Sequence, residues 1–244
     1  MTDPSTIAIV AEKGGNGKST VAQCLAVAGW LDGKAVVVFD MDNQRSVVKW
    51  AGRRDQEDPV AEYVSPAQLD EKIAEYEELG ADLIIIDTPG RLDSAVHAAV
   101  KRSHLVIVPC PANAKSLETV EDTFKLILEA DRVRRPMFVA LTKATPNAKS
   151  RPEEARALVR EIERDFSLPL VVCPSVLHRY QLYEDADDDG ITPQEMAAHT
   201  SAGEPINPVV QASKDIQGLY KFSTEVLKKF SQNEREAHGY QIAS

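Results

Sequence analysis

Cysteine is scarce and odd in number. Cys24, Cys110 and Cys173 lie far apart in apolar stretches, which excludes a disulfide framework and a paired metal or iron–sulfur cage and points to buried thiols in a reducing compartment. No apolar run approaches the roughly 20 residues that a membrane span needs. The start, Met1-Thr2-Asp3-Pro4, has no basic region, and the apolar run Ile7–Ala11 is too short for a signal peptide. These absences predict a cytoplasmic protein with no membrane partner. A basic excess is missing too: 28 Lys and Arg face 38 Asp and Glu, a net charge of −10. A protein that coats nucleic acid with its whole surface is therefore excluded, and only a local basic patch is left open. With 12 Gly and 14 Pro the chain is neither collagen-like nor low in complexity. What is present, 43% hydrophobic and 27% charged over 244 residues, suits one large globular domain.

Short apolar runs alternate with helical patterns. Ile7–Val10, Ala35–Phe39, Leu83–Ile86, Leu105–Val108, Met137–Leu141 and Leu168–Cys173 are continuous and rich in Val and Ile, as strands buried on both faces of a parallel sheet should be. Ser150-Arg151-Pro152-Glu153 reads as a capping box, Ser65-Pro66 opens a helix over Leu69–Leu79, and Ser116 opens one over Leu117–Arg132. The alternation predicts a single doubly wound α/β domain with a mostly parallel twisted sheet flanked by helices. Towards the end come an acidic loop at Glu184–Asp189, a second capping box at Thr192–Glu195, a flexible loop at Ser201–Pro208 and a last helix over Val209–Phe230. The domain is assigned to residues 1–231, and the polar tail, 232–244, is expected to fray.

The most informative stretch runs from Ile7 to Thr20. A strand passes through Lys13-Gly14-Gly15-Asn16-Gly17-Lys18-Ser19-Thr20 into a helix, the setting in which backbone N–H groups and a helix N-terminus converge on phosphate oxygens. Lys18 is expected to neutralise the β- and γ-phosphates, and Ser19 to ligate Mg²⁺. The strict pattern G-x-x-x-x-G-K-[ST] fails at one position, where Glu12 replaces the first glycine. Asp40-Met41-Asp42-Asn43-Gln44-Arg45-Ser46 follows the second strand, and Asp87-Thr88-Pro89-Gly90 follows Ile84–Ile86. Ligands of open α/β sheets bind outside the carboxyl ends of strands, so these three segments are predicted to share one crevice.

These residues resemble the ParA/MinD branch of P-loop ATPases with the deviant Walker A box, Lys-Gly-Gly-x-Gly-Lys-Ser/Thr, met by Lys13 to Ser19. The second box, Asp-x-Asp-x-Gln-x-Ser, is met by Asp40, Asp42, Gln44 and Ser46. The Walker B strand is met by Leu83–Asp87. Trp50, Arg53 and Arg54, and a later stretch from His178-Arg179-Tyr180 through Gly190, Thr192 and Glu195, are similar to the small ParA proteins. The resemblance implies ATP and Mg²⁺ as cofactors and a homodimer bridged by ATP, in which Lys13 reaches the partner's phosphates. By the same resemblance Asp42 positions or activates water with Asp40 in support, Asp87 holds Mg²⁺ through water, and Thr142, Lys143 and Pro174 bind the nucleotide. Thr142 stands where the family often has Asn. The resemblance further implies slow hydrolysis stimulated by a ParB-like partner, and non-specific DNA binding for partition of plasmid or chromosomal DNA, with nucleoid association. Lys149, Arg151, Arg179, Lys214 and Lys221 are the candidate DNA contacts. A MinD-like membrane-cycling regulator and a positioning protein for a protein cargo are the alternatives.

Two other motifs are set aside. Asp185-x-Asp187-x-Asp189-Gly190 imitates the start of a calcium loop, but its twelfth position is Met196. The terminal helix carries Lys221, Lys228 and Lys229, yet Ile216, Leu219, Phe222 and Leu227 at helical spacing suit packing on a sheet better than membrane anchoring.

Overall fold

The computed structural model describes residues 3–90, 94–130, 135–145, 150–166, 171–198 and 207–242. The strands are β1 (Ser5–Ile9), β2 (Val36–Asp40), β3 (Val60–Tyr63), β4 (Leu83–Asp87), β5 (Leu105–Pro111), β6 (Met137–Ala144) and β7 (Val171–His178). They form a seven-stranded sheet in the order β3-β2-β4-β1-β5-β6-β7, and every pairing is parallel. The helices are α1 (Lys18–Leu31), α2 (Ser46–Ala51), α3 (Leu69–Glu78), α4 (Ser94–Arg102), α5 (Ala114–Ala130), α6 (Ser150–Phe166), α7 (Leu182–Asp188), α8 (Pro193–Ala198) and α9 (Pro208–Ile242).

Successive residues of a strand point to opposite faces, and this divides the core in two. Ala8, Phe39, Ile84, Ile86 and Val106 join Val96 and Phe124 on one face. Ile7, Ile9, Val38, Ile85 and Ile107 join Leu25, Trp50, Ile216 and Leu219 on the other. The apolar side of α9 is therefore committed to the sheet, with Ile216, Leu219 and Leu227 buried. The three cysteines are buried free thiols.

Five elements differ from the sequence reading. The strand β3 has no apolar run to announce it: it is four residues long, at the sheet edge, with Val60 exposed. At the other edge, β7 continues past Cys173 through polar Ser175 to His178, because an edge strand needs only one buried face; residues 168–170 of the expected run lie outside the described ones. The acidic segment expected as a loop forms α7 instead. Leu182 and Ala186, one turn apart, are buried, and Glu184 and Asp185 sit in its first turn, where the helix dipole favours negative charge. The helix α5 begins at Ala114 rather than beyond Ser116, and α9 runs on from Phe230 to Ile242. The loop expected at Ser201–Pro208 falls mostly outside the described residues.

The segment between α7 and α8 is clamped to the end of α2. The Trp50 indole donates to the Ile191 carbonyl at 3.1 Å. Arg54, its side chain 1% exposed, donates to Glu195 at 2.8 Å and to the Gly190 carbonyl at 2.9 Å. Its guanidinium lies over the Trp50 ring at 4.7 Å. Glu195 also accepts the Thr192 N–H at 2.8 Å, closing the capping box that starts α8. Gly190 has φ +68°, and a Cβ there would lie 2.6 Å from the Arg53 carbonyl carbon. Gly190→Ala is accordingly expected to cost about 2–3 kcal/mol in urea denaturation, from left-handed strain and backbone collision together; a loss within 0.5 kcal/mol, the order of an ordinary surface change, would contradict the clamp.

Candidate functional site

The carboxyl ends of β2, β4 and β1 are neighbours in the sheet, with Asp40 in register with Asp87 and Asp87 with Ile9. The glycine-rich loop that follows β1 therefore lies against two acidic strand ends, between β4 and β5. This is the crossover point at which open α/β sheets bind ligands. Gly17, with φ 89°, is the residue from which α1 starts.

Lys18 is buried, and its Nζ donates to the Lys13 carbonyl at 3.3 Å. Burial holds its pKa below the ordinary lysine value, while the charges of Asp87 and Asp42 pull the other way. Asp87 is the complement. One carboxylate oxygen accepts the Ser19 hydroxyl at 2.6 Å; the other, Oδ1, is buried with no hydrogen-bond partner among the described residues. Burial pushes its pKa up to about 7, against the Ser19 hydrogen bond and Lys18, and the charges of Asp40 and Asp42 push it further up. A buried ammonium thus lies close to a buried carboxylate that has one oxygen without a hydrogen-bond partner among the described residues, an arrangement that a phosphate–metal pair would satisfy. The donor set suits Mg²⁺: one hydroxyl and one carboxylate, with the rest left to phosphate oxygens and water.

Asp40 is fully buried. Its Oδ1 accepts the Asp42 N–H at 3.0 Å, and its Oδ2 accepts the N–H groups of Val47 and Val48 at 2.9 and 3.2 Å. Burial raises its pKa, and these three donors lower it. Both oxygens are spent on the backbone, so Asp40 orients the loop and caps α2 rather than facing substrate. Asp42 is half-buried and accepts the Gln44 N–H at 2.9 Å. The loop after β4 packs on the phosphate loop: Thr88 donates to the Ile9 carbonyl at 2.8 Å, and a Cβ on Gly90 would lie 2.9 Å from the Gly14 nitrogen.

A cleft of about 540 Å³ extends from Gly17, Ser19 and Thr20 to β7 and α7, where His178, Tyr180 and Tyr183 line it. Thr142 also lines it, but its hydroxyl donates to the Asn16 carbonyl at 3.0 Å, so it braces the phosphate loop from β6. Lys143 is exposed with φ 52° and borders both this cleft and a crevice of about 440 Å³ shared with Lys13, Gly14, Gly15 and Arg179. Lys13 is exposed at that crevice.

Pro174 is not brought to the cleft. It lies in mid-strand, where its carbonyl accepts Arg156 at 2.8 Å, because β7 ends at His178, five residues later than the sequence implied. His178 takes the strand-end position, with its Nδ1 2.9 Å from Asp215. Tyr183, Gln23 and Asp187 also line the cleft; sequence reasoning missed them, and the one signal, burial at Leu182 and Ala186 spacing, is weak. Among the DNA candidates, Lys149 lies outside the described residues and Arg151 sits in the first turn of α6. Arg179 is exposed beside the cleft, and Lys214 and Lys221 are exposed on α9. Among the described residues no group of three or more His, Cys, Asp or Glu could hold a metal, and the calcium-like segment is helical.

The fold and this loop define a P-loop nucleotide-binding protein. Residues 7–235 match the model of the CobQ/CobB/MinD/ParA nucleotide binding domain, and the chain belongs to that family. It is 33% identical to the maintenance of carboxysome distribution protein A of Gloeobacter kilaueensis over 163 residues, 65% of this chain and 72% of the relative. It is 25% identical to protein virC1 of Rhizobium radiobacter over 190 residues, 73% and 78% of the two chains. In fold it is similar to the septum site-determining protein MinD of Pyrococcus horikoshii, solved with Mg-ADP, with TM-score 0.63, 18% identity and coverage of 90% and 96%. Apo McdA from Cyanothece gives TM-score 0.66 at 15% identity, covering 88% and 99%.

A carboxyl whose pKa is raised by folding binds its proton more tightly folded than unfolded. Its contribution to stability is full below the unfolded value near 3.8 and is lost as pH rises through about 7. Asp87→Asn cannot ionise, so without nucleotide it should exceed the parent in stability by about 1–3 kcal/mol at pH 8, the gap closing below about pH 4. Denaturant titration across that range measures it, and a gap independent of pH would contradict the burial of an unpaired Asp87.

Proposed function

We propose that the chain is a Mg-ATP-dependent ATPase of the ParA type that pairs with a second copy across bound ATP and partitions or positions a cargo, DNA in the first instance. The observation that carries this reading is the buried Oδ1 of Asp87, which has no hydrogen-bond partner among the described residues, beside the buried Lys18 at the phosphate loop. Ser19 and Asp87 would hold Mg²⁺, which when bound neutralises phosphate charge. Lys18 binds the terminal phosphates, Asp42 orients the attacking water, and Asp40 keeps Asp42 in place. Lys13, exposed at the mouth of the loop, is available to the phosphates of the second copy. Arrival of that cation only on pairing ties turnover to association. Loss of the γ-phosphate then separates the copies, with a ParB-like protein shortening the ATP state.

DNA binding is supported by the seven-residue spacing of Lys214, Lys221 and Lys228, all exposed on α9. Residues seven apart share a helix face, and pairing would double this stripe and so raise its affinity for a phosphate backbone. The name of the relative from Gloeobacter kilaueensis, carboxysome distribution, supports a protein cargo as the second reading. A membrane anchor has less support, because the apolar side of α9 is used in the core and no described helix is long and apolar enough to cross a membrane.

Light scattering with MgATP tests the proposal. The parent should double in mass; Lys18→Ala should lose ATP binding by about 100-fold or more, and Lys13→Ala should bind ATP but stay single. With DNA added, ATP-dependent binding should weaken steeply with salt. A parent that stays single with ATP bound would contradict the shared-nucleotide reading, and salt-insensitive binding would contradict the α9 stripe.

A further inference from the structure

The clamp between α2 and the α7–α8 segment has a member that the fold does not need for stability. Arg53 donates through Nε and Nη2 to the Asp187 carbonyl at 3.0 and 2.7 Å, and through Nη2 to Asp187 Oδ2 at 2.9 Å. The two side chains are 37% and 41% exposed, so solvent screens the pair and its contribution to folding is small. Trp50 and the buried Arg54–Glu195 pair already hold these elements together. Yet the geometry is specific. The other carboxylate oxygen of Asp187 accepts Gln23 Nε2 at 2.8 Å, and Gln23 lies one helical turn beyond Ser19 on α1. Asp187 itself lines the cleft that Gly17, Ser19 and Thr20 also line. One side chain therefore touches the cleft, the helix that starts at the phosphate loop, and the tail of α2.

The other end of α2 leads to Asp42. Val47 and Val48 donate to Asp40, and the same carboxylate accepts the Asp42 N–H. A shift of α2 is thus carried into the loop that presents Asp42. We infer that Arg53 is a positioning residue for hydrolysis, linking occupancy of the base side of the cleft, through Asp187 and α2, to the placement of Asp42. The inference rests on the ATPase reading above. It joins two sets of hydrogen bonds through the helix α2, and a measured coupling is its proof.

The experiment compares the parent with Arg53→Ala and Arg53→Lys. Arg53→Ala should lower kcat about tenfold while KM and the ATP dissociation constant stay within about twofold, the pattern of a residue that acts on the reacting state alone. Arg53→Lys keeps the charge and loses the fork, and should fall between the two. The thermal midpoint should move only slightly, as for an exposed pair. In a Trp30→Phe background, ATP should change Trp50 emission in the parent and not after Arg53→Ala. Parental kcat in Arg53→Ala, or a loss confined to affinity or to thermal midpoint, overturns the inference. If the parent binds ATP without hydrolysing it, the ATPase reading fails on its own. Trp50 emission then decides the link: a response kept in Arg53→Ala overturns it, and a response lost in that variant supports it.

Discussion

A buried carboxylate with one oxygen satisfied and one bare is the constraint on which this site turns. Asp87 is placed by a strand that is buried along its whole length, and among the described residues its carboxylate accepts from the Ser19 hydroxyl at the start of α1. An unpaired polar atom in such a place costs free energy unless something arrives to pair it. The same architecture holds Lys18 buried nearby, where the charge of Asp87 attracts it. A phosphate carrying a divalent cation would pair the bare oxygen and the ammonium together.

Much of this was legible from the residues. Five of the seven strands announce themselves as continuous apolar runs, because a strand buried on both faces cannot alternate, and β7 shows only its first residues in this way. The phosphate loop and Asp87 follow from local spacing alone. The remainder depends on contacts between distant segments. Arg53 and Asp187 are 134 residues apart, and nothing in either neighbourhood names the other. The strand β3 is short and half-exposed, and α7 hides a two-residue apolar face under acidic side chains. Pro174 was misplaced for a related reason: the polar residues that end β7 look like a loop until the sheet edge is seen.

Thr142 shows how a departure from a family pattern finds another use. In place of an amide able to read a base edge, its hydroxyl is engaged by the Asn16 carbonyl, and it lies 3.9 Å from where a Cβ on Gly17 would be. The cleft is lined beyond the phosphate loop by β7 and α7, with His178 fixed by Asp215, whose second oxygen accepts Gln211 at 2.8 Å. Trp50 and Arg54 likewise have a physical role, the clamp on Ile191, Gly190 and Glu195.

The most direct measurement of the central claim is ATP affinity with magnesium present and with magnesium chelated, in the parent and in Asp87→Asn. The account predicts that chelation weakens binding to the parent by about tenfold or more and leaves the variant nearly unchanged, since the bare oxygen of Asp87 is what the cation satisfies. Equal affinity for ATP in the parent under both conditions would contradict it.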